Sequence, residues 1–148
     1  MKKIIILLII FVCCACSRNS TMVCTYTNNM INDYKTNIIY SIKLNGDKVS
    51  LINIKEEYTS DDSSILDYFK EYRKIYYYNL SKEYGSHVFN SEVKNNKLII
   101  NIKIDYKDVD ISKMIKNNYI PKTYRKGNSL SKNGAKLFYE DLGAVCGG

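Results

Sequence analysis

The chain has 148 residues, enough for one domain and a targeting segment but too few for two ordinary domains. Charged residues make up 25% and hydrophobic residues 45%, a globular composition rather than a disordered or collagen-like one. The formal net charge is +7, and the single histidine excludes every metal or catalytic site that needs two imidazoles.

The chain begins with a short apolar segment behind a positive start. Lys2 and Lys3 precede residues 4–16, a run of 13 residues without a charge. A membrane span needs about 20 apolar residues, so this run is too short to cross a bilayer. The positive start, the apolar run and the small residue Ala15 predict a signal peptide over residues 1–15.

The end of this segment predicts a lipid anchor. Ala15 directly precedes Cys16, as in bacterial lipoproteins whose cysteine receives a diacylglyceryl group. Cys14 is a poorer candidate acceptor, and ordinary cleavage after Ala15 without lipid is the alternative. We expect lipidation at Cys16, a tether over residues 16–21 and one extracytoplasmic domain over residues 22–148, because two acyl chains hold a protein firmly on a membrane.

Two cysteines, Cys24 and Cys146, remain for the exported domain. Two leftover cysteines in an exported protein predict one disulfide, which would hold the C-terminal tail against the start of the domain. Two separate thiols are the alternative. Because they are so far apart in sequence, these cysteines do not form the Cys-x-x-Cys motif of redox enzymes.

Three strands are predicted before the first helix. Residues 22–27 form a short strand. Residues 38–44 alternate apolar and polar side chains, Asn45 and Gly46 suit a type I′ hairpin turn, and residues 49–58 return as the partner strand. The uneven alternation of this partner strand predicts a bulge or a bend.

A long amphipathic helix follows. We expect it to begin at Ser60 or Asp61, which suit a helix N-terminus, and to end at Gly85. Three adjacent tyrosines at residues 76–78 cannot all face one core, so at least one is exposed as a carbohydrate or partner platform, or is covered by a loop. The predicted buried stripe consists of Ile65, Phe69, Tyr72, Tyr76 and Leu80.

A second hairpin and two short helices complete the predicted domain. Residues 88–94 and 98–106 alternate on either side of a turn at residues 95 and 96. Asp108 or Asp110 would cap the first short helix, and Ser131 would cap the second, which Gly143 ends. Residues 119–128 form a loop. The pattern predicts an α+β domain with an antiparallel sheet of two hairpins and an N-terminal strand, packed on the long helix.

Several short motifs resemble a known family. After the lipid-acceptor segment come Cys-Thr-Tyr-Thr, then Glu-Glu-Tyr-Thr, Asp-Asp at the head of a tyrosine-rich helix, Ile-Asp-Tyr-Lys-Asp-Val-Asp, and Gly-Ala-Val-Cys. In this order they resemble the small bacterial surface lipoproteins of the YehR type, over most of residues 22–146. The resemblance implies a lipid-anchored α+β extracytoplasmic domain and supplies no catalytic motif.

Metal and catalytic sites have little support in the sequence. His87 lacks zinc-ligand partners at a suitable spacing. Asp105, Asp108 and Asp110 lack the central glycine and the final glutamate of an EF-hand. We expect no metal, no cofactor and a non-catalytic domain with a binding or structural role at the cell envelope. An envelope hydrolase that uses a carboxylate pair is a less favoured alternative.

The positive charge is concentrated near the C-terminus. Between Asp110 and Glu140 there are seven basic residues and no acidic ones. Outside a bacterial membrane the available anionic partners are lipid headgroups and wall polymers, and we expect no nucleic acid. The runner-up function is therefore a basic module that docks on such polymers, and the alternative is a solvated charge run. The basic residues are Lys113, Lys116, Lys122, Arg125, Lys126, Lys132 and Lys136.

Overall fold

The structure is a computed structural model that describes residues 19–31 and 33–147. The predicted signal peptide, Cys14 and Cys16 lie outside the described residues. The helices are α1 (Ser63–Tyr84), α2 (Ile111–Lys116) and α3 (Lys132–Asp141). The strands are β1 (Asn19–Ile31), β2 (Tyr34–Asn45), β3 (Lys48–Thr59), β4 (His87–Lys94), β5 (Lys97–Asp105), β6 (Arg125–Lys126), β7 (Ser129–Leu130) and β8 (Val145–Gly147).

Six strands form one sheet in the order β4-β5-β3-β2-β1-β8, and each neighbouring pair is antiparallel. The alternating strands turn one row of apolar side chains toward the helices, with Ile42, Ile52, Leu98 and Ile100 fully buried. The helix α1 packs on β3, β4 and β5, and α3 packs on β1, β3 and β8. The predicted α+β class, with a sheet packed on one long helix, is confirmed.

The two predicted hairpins form, but one turn differs in register. At the second turn both Asn95 and Asn96 have positive φ, 49° and 57°, as a type I′ turn requires. In the first hairpin Asn45 pairs with Lys48, so the loop is residues 46 and 47 rather than Asn45 and Gly46. Only Gly46 has positive φ there, 61°. The predicted bulge is confirmed by a register shift next to Lys43.

The start of α1 corrects the prediction that it begins at Ser60 or Asp61. Asp62 is the N-cap, because its carboxylate accepts a hydrogen bond of 2.8 Å from the backbone N–H of Ser64. The Ser60 hydroxyl accepts from the Asp62 backbone N–H instead, at 3.1 Å. Gly85, at φ 84°, ends the helix as predicted.

The buried face of α1 is rotated from the predicted stripe. Leu66, Tyr77 and Tyr84 are buried, whereas Tyr72 is 50% exposed, so its assignment to the buried stripe was wrong. Of the three adjacent tyrosines, Tyr78 is exposed. The rotation places Arg73, rather than Tyr72, against the sheet.

The C-terminal part contains more regular structure than the sequence predicts. Asp110, and not Asp108, caps α2, and Ser131 caps α3 as predicted. The predicted loop at residues 119–128 includes β6, which pairs with β7 in a small separate sheet. Among the described residues, no helix has both the length and the apolar character of a membrane span.

The C-terminal tail forms β8, the edge strand of the sheet beside β1. Cys146 lies directly opposite Cys24 in the antiparallel pairing of β8 with β1. Their sulfur atoms are 1.99 Å apart, so the predicted disulfide is present. Cys24 is fully buried, and the bond joins positions 122 residues apart.

Candidate functional site

A buried ion pair connects the centre of the sheet to α1. Glu56 is completely buried on β3, at an inward position between Ile54 and Tyr58. The Arg73 guanidinium reaches it from α1, with Nε donating to Oε2 at 2.8 Å and Nη2 donating to Oε1. A buried carboxylate requires such compensation because burial removes its hydration.

Two tyrosine hydroxyls complete the hydrogen bonding of Glu56. Tyr77 donates to Oε1 at 2.6 Å, and Tyr58 donates to Oε2 at 3.1 Å. Burial and the neighbouring Glu56 charge raise the pKa of both hydroxyls, so both remain protonated donors at neutral pH. Both carboxylate oxygens of Glu56 therefore already accept hydrogen bonds from protein donors. In this arrangement Glu56 joins β3 to α1 and is not a free base.

The Arg73 side chain is itself enclosed by aromatic rings. Its guanidinium carbon lies 4.9 Å from the ring centroids of both Tyr76 and Tyr77. Burial alone would lower the pKa of Arg73, but the hydrogen bonds to Glu56 raise it above its ordinary value. The guanidinium stays charged, and Glu56 balances that charge.

Beside this cluster lies a cavity of about 400 Å³ between the sheet and the helices. Its walls come from strands β1 to β5 on one side and from α1, α2 and α3 on the other. Leu142, at the end of α3, lines it and is 53% exposed, which places an opening there. Arg73 and Tyr77 form part of the wall, and the other tyrosines are Tyr26, Tyr40, Tyr76, Tyr106, Tyr119 and Tyr139.

Three of these tyrosines present hydroxyls without partners. Tyr40, Tyr106 and Tyr139 are 7%, 5% and 3% exposed, and within the described residues no hydrogen bond reaches their hydroxyls. No fully enclosed side-chain oxygen or nitrogen in that part of the chain lacks a partner, so each of these hydroxyls keeps some solvent access, and all three residues line the cavity. In contrast, the Tyr76 and Tyr119 hydroxyls bond each other at 2.8 Å.

Burial keeps the cavity hydroxyls protonated. Desolvation raises the pKa of Tyr40 to about 12, and it also raises the pKa values of Tyr106 and Tyr139. His87 lines the same cavity and donates from Nδ1 to the Gly85 carbonyl oxygen at 2.6 Å. Desolvation lowers the pKa of His87, which favours its neutral form.

The residues weighed for metal binding do not come together. Asp105 accepts from the Lys107 backbone N–H, and Asp110 accepts from the Lys113 backbone N–H, so both carboxylates cap turns. Over the described ranges, no three His, Cys, Asp or Glu side chains form a group that could hold a metal.

The side chains of the predicted basic stretch have different partners. Lys113 donates to the Glu83 carbonyl oxygen at 3.0 Å, and Lys136 pairs with Glu140 at 3.8 Å. Lys126 pairs with Asp47 of the β2–β3 turn at 2.5 Å. In the part of the chain that the structure covers, Lys116, Lys122, Arg125 and Lys132 have no ion-pair partner within 4.0 Å.

Part of this basic stretch lies at one end of the sheet. The backbone N–H of Lys132 donates to the Asp47 carbonyl oxygen at 3.0 Å, so α3 begins against the same turn that Lys126 contacts. That turn lies beside the first residue of β1, because Asn19 pairs with Asn45. Arg125, Lys126 and Lys132 therefore stand near the end of the domain where β1 begins.

Sequence reasoning missed Glu56, Arg73 and the cavity. One signal was present in β3, where every second side chain faces inward. Glu56 lies in this inward-facing series with Ile52, Ile54 and Tyr58, so the alternation places a carboxylate in the core. No local pattern marks Arg73 as its partner.

Comparison with known proteins supports the fold. No protein-family model matches the sequence, and no curated protein matches it. The NMR structure of E. coli YehR aligns with a TM-score of 0.51 at 18% identity, covering 87% of this chain and 92% of that one. An NMR structure of a protein from Streptococcus pneumoniae TIGR4 aligns with a TM-score of 0.49 at 10% identity, over 99% and 96% of the two chains. The domain thus has a YehR-like fold.

Proposed function

We propose that the protein is a bacterial lipoprotein, anchored by acyl chains on Cys16, whose non-catalytic domain binds partners at the extracytoplasmic face of the membrane. The observation that carries this proposal is the disulfide between Cys24 and Cys146. Disulfides form and persist in oxidising compartments and are rare in the cytosol. The disulfide therefore supports export, which the positive start and the apolar run predict independently.

The start of the fold limits how far such an anchor would let the domain move. The strand β1 begins at Asn19, three residues after Cys16. Three residues span at most about 11 Å even when fully extended. A chain anchored at Cys16 therefore holds the Asn19 end of the sheet close to the lipid headgroups.

The anchor is tested by intact mass spectrometry of the membrane fraction with Cys16→Ser and, as the matched control, Cys14→Ser. We expect the natural protein to start at Cys16 and carry acyl chains, and to gain two hydrogens on reduction. Cys16→Ser should lose the acyl mass, and Cys14→Ser should keep it. A natural protein without acyl mass, or acylation that persists in Cys16→Ser, would contradict the anchor.

A second proposed role, electrostatic docking on anionic lipid, is favoured by the charges at the Asn19 end. Arg125, Lys126 and Lys132 stand near this end, and Lys48 is the first residue of β3, directly after the adjoining turn. A basic residue near an anionic membrane contributes about 1 kcal/mol of attraction. Anchoring and charge would then act on the same end of the domain.

Hydrogen exchange of the lipidated protein in nanodiscs tests this docking. We expect residues 44–49 and 125–132 to exchange more slowly in anionic than in zwitterionic nanodiscs. Arg125→Gln with Lys132→Gln should remove the difference. The control, Lys94→Gln with Lys97→Gln, removes equal charge and should preserve the difference in exchange. These lysines lie at the opposite end of the sheet, because Lys97 pairs with Thr59, the last residue of β3. Equal exchange in the two lipids would refute the docking.

A further inference from the structure

The cavity between α1 and the sheet is too large to be a packing defect. Protein interiors are close-packed, and voids larger than a water molecule are few. A volume of 400 Å³ equals the liquid volume of roughly a dozen water molecules. It falls at the lower end of the range of small-molecule sites, about 300–1,000 Å³. The volume suits one small ring-shaped molecule.

The polar groups of the cavity converge from separate elements. Tyr40 comes from β2, Tyr106 follows β5, and Tyr139 comes from α3. All three residues are more than nine-tenths buried, yet their hydroxyls keep some solvent access and have no hydrogen-bond partner among the described residues. A molecule with oxygen acceptors at these positions would replace the water that reaches the hydroxyls and would form hydrogen bonds in a largely desolvated site.

The charges around the cavity exclude an ionised occupant. Apart from tyrosine, the described residues that line it include only two titratable side chains, Arg73 and His87. Glu56 already neutralises Arg73 through two hydrogen bonds, and burial favours neutral His87. An ionised ligand would lose its hydration and find no free counter-charge.

The walls favour a flat ring. The rings of Tyr40 and Tyr139 lie 4.2 Å apart between centroids, and those of Tyr119 and Phe138 lie 6.1 Å apart. Aromatic faces attract further rings in offset or edge-on arrangements and also pack against the apolar faces of sugars. We propose that this cavity binds an uncharged, single-ring small molecule that offers hydroxyl or carbonyl oxygens to Tyr40, Tyr106 and Tyr139. This inference goes beyond the anchoring role and does not depend on it.

Calorimetric titration with three small probes tests the proposal. The protein is taken from whichever cell fraction contains it. It is placed in nanodiscs, with empty nanodiscs as background, where it carries acyl chains, and it is studied in buffer where it does not, so failure of the anchor proposal leaves this test intact. The probes are 4-hydroxyacetophenone, N-acetylglucosamine and 4-hydroxybenzoate. We expect one of the two uncharged probes to bind with 1:1 stoichiometry, and that probe identifies the ligand source as an aromatic ketone or a sugar. The anionic benzoate should bind at least about tenfold more weakly, because its charge must be desolvated.

Substitutions then locate the binding site. Tyr40→Phe and Tyr139→Phe each remove one hydroxyl and should weaken the bound probe by about three- to tenfold. Leu142→Trp at the exposed opening should abolish binding without disturbing the core. Leu137→Trp is the matched control, since Leu137 is exposed on the same helix and does not line the cavity.

Three results would overturn the proposal. The first is that neither uncharged probe binds, and the second is that benzoate binds as tightly as the best uncharged probe. The third is that Leu142→Trp and Leu137→Trp have equal effects on the Kd.

Discussion

Replacing Arg73 with methionine would leave the carboxylate of Glu56 buried without its cation. Glu56 is 0% exposed and would keep only the hydroxyls of Tyr58 and Tyr77 as partners. Removing one member of a buried ion pair costs about 3–5 kcal/mol, because the remaining charge stays in a medium of low polarity. We expect Arg73→Met to lower the free energy of unfolding by that amount, a large share of a typical total of about 5–15 kcal/mol.

The double variant Glu56→Gln with Arg73→Met separates the charge effect from lost packing. It removes both charges while the glutamine carbonyl still accepts from a tyrosine hydroxyl. We expect it to be more stable than Arg73→Met alone by about 2 kcal/mol, since no unpaired charge remains. The matched control is Lys74→Met. Its side chain is 61% exposed and pairs with Glu71 at 3.7 Å, so we expect a change below about 1 kcal/mol.

Urea unfolding followed by far-UV circular dichroism measures these differences. The midpoint should move while the slope of the free energy against urea stays constant, which marks a change in stability rather than in the unfolded state. The reasoning is refuted if Arg73→Met behaves like Lys74→Met. It is equally refuted if the double variant is no more stable than Arg73→Met alone.

Three further perturbations test other parts of the fold. Cys146→Ser opens a link between positions 122 residues apart, and the chain-entropy model predicts a loss of about 5 kcal/mol in urea unfolding; equal stability of the oxidised and reduced natural protein would contradict it. Gly134→Ala would place a Cβ inside van der Waals distance of the Tyr124 carbonyl oxygen, so we expect a loss of about 1–3 kcal/mol and a lower Tm, and an unchanged Tm would argue against this close approach. Burial lowers the folded pKa of His87 below its ordinary 6.5, so the unfolded chain binds more protons and stability should fall as the pH drops below that value. His87→Gln should flatten this part of the pH curve, and a stability that rises toward acid would reverse the sign of the argument.

The strands and the long helix could be predicted because their signals are local. Residues 98–106 alternate without interruption, and the structure places all of this segment except Tyr106 in β5, an interior strand of the sheet. The disulfide could be predicted because the predicted export and lipidation would leave only Cys24 and Cys146 for the domain. The strand follows from the period of its apolar residues, and the disulfide follows from eliminating the other cysteines. Both arguments need only a single sequence.

The candidate site depends on pairing between distant segments, which periodicity does not reveal. Arg73 resembles an ordinary charged surface residue of a helix, and only its partner Glu56, 17 positions earlier, explains why it turns inward. The cavity has walls from five strands and three helices, so no single segment of the sequence predicts it. The strand β8 was missed because three residues are too short for a recognisable alternation.

The position of β1 also determines how the domain would respond to mechanical force. Antiparallel hydrogen bonds run perpendicular to the strands, so a pull along β1 from its N-terminal end loads its pairing with β2 in shear. In shear, many hydrogen bonds share the load and must break together, whereas a peeled strand loses them one at a time. The covalent bond at Cys24 passes part of that load to β8. Tension applied at Asn19 is therefore resisted by β1, which is paired with a neighbouring strand on each of its two edges.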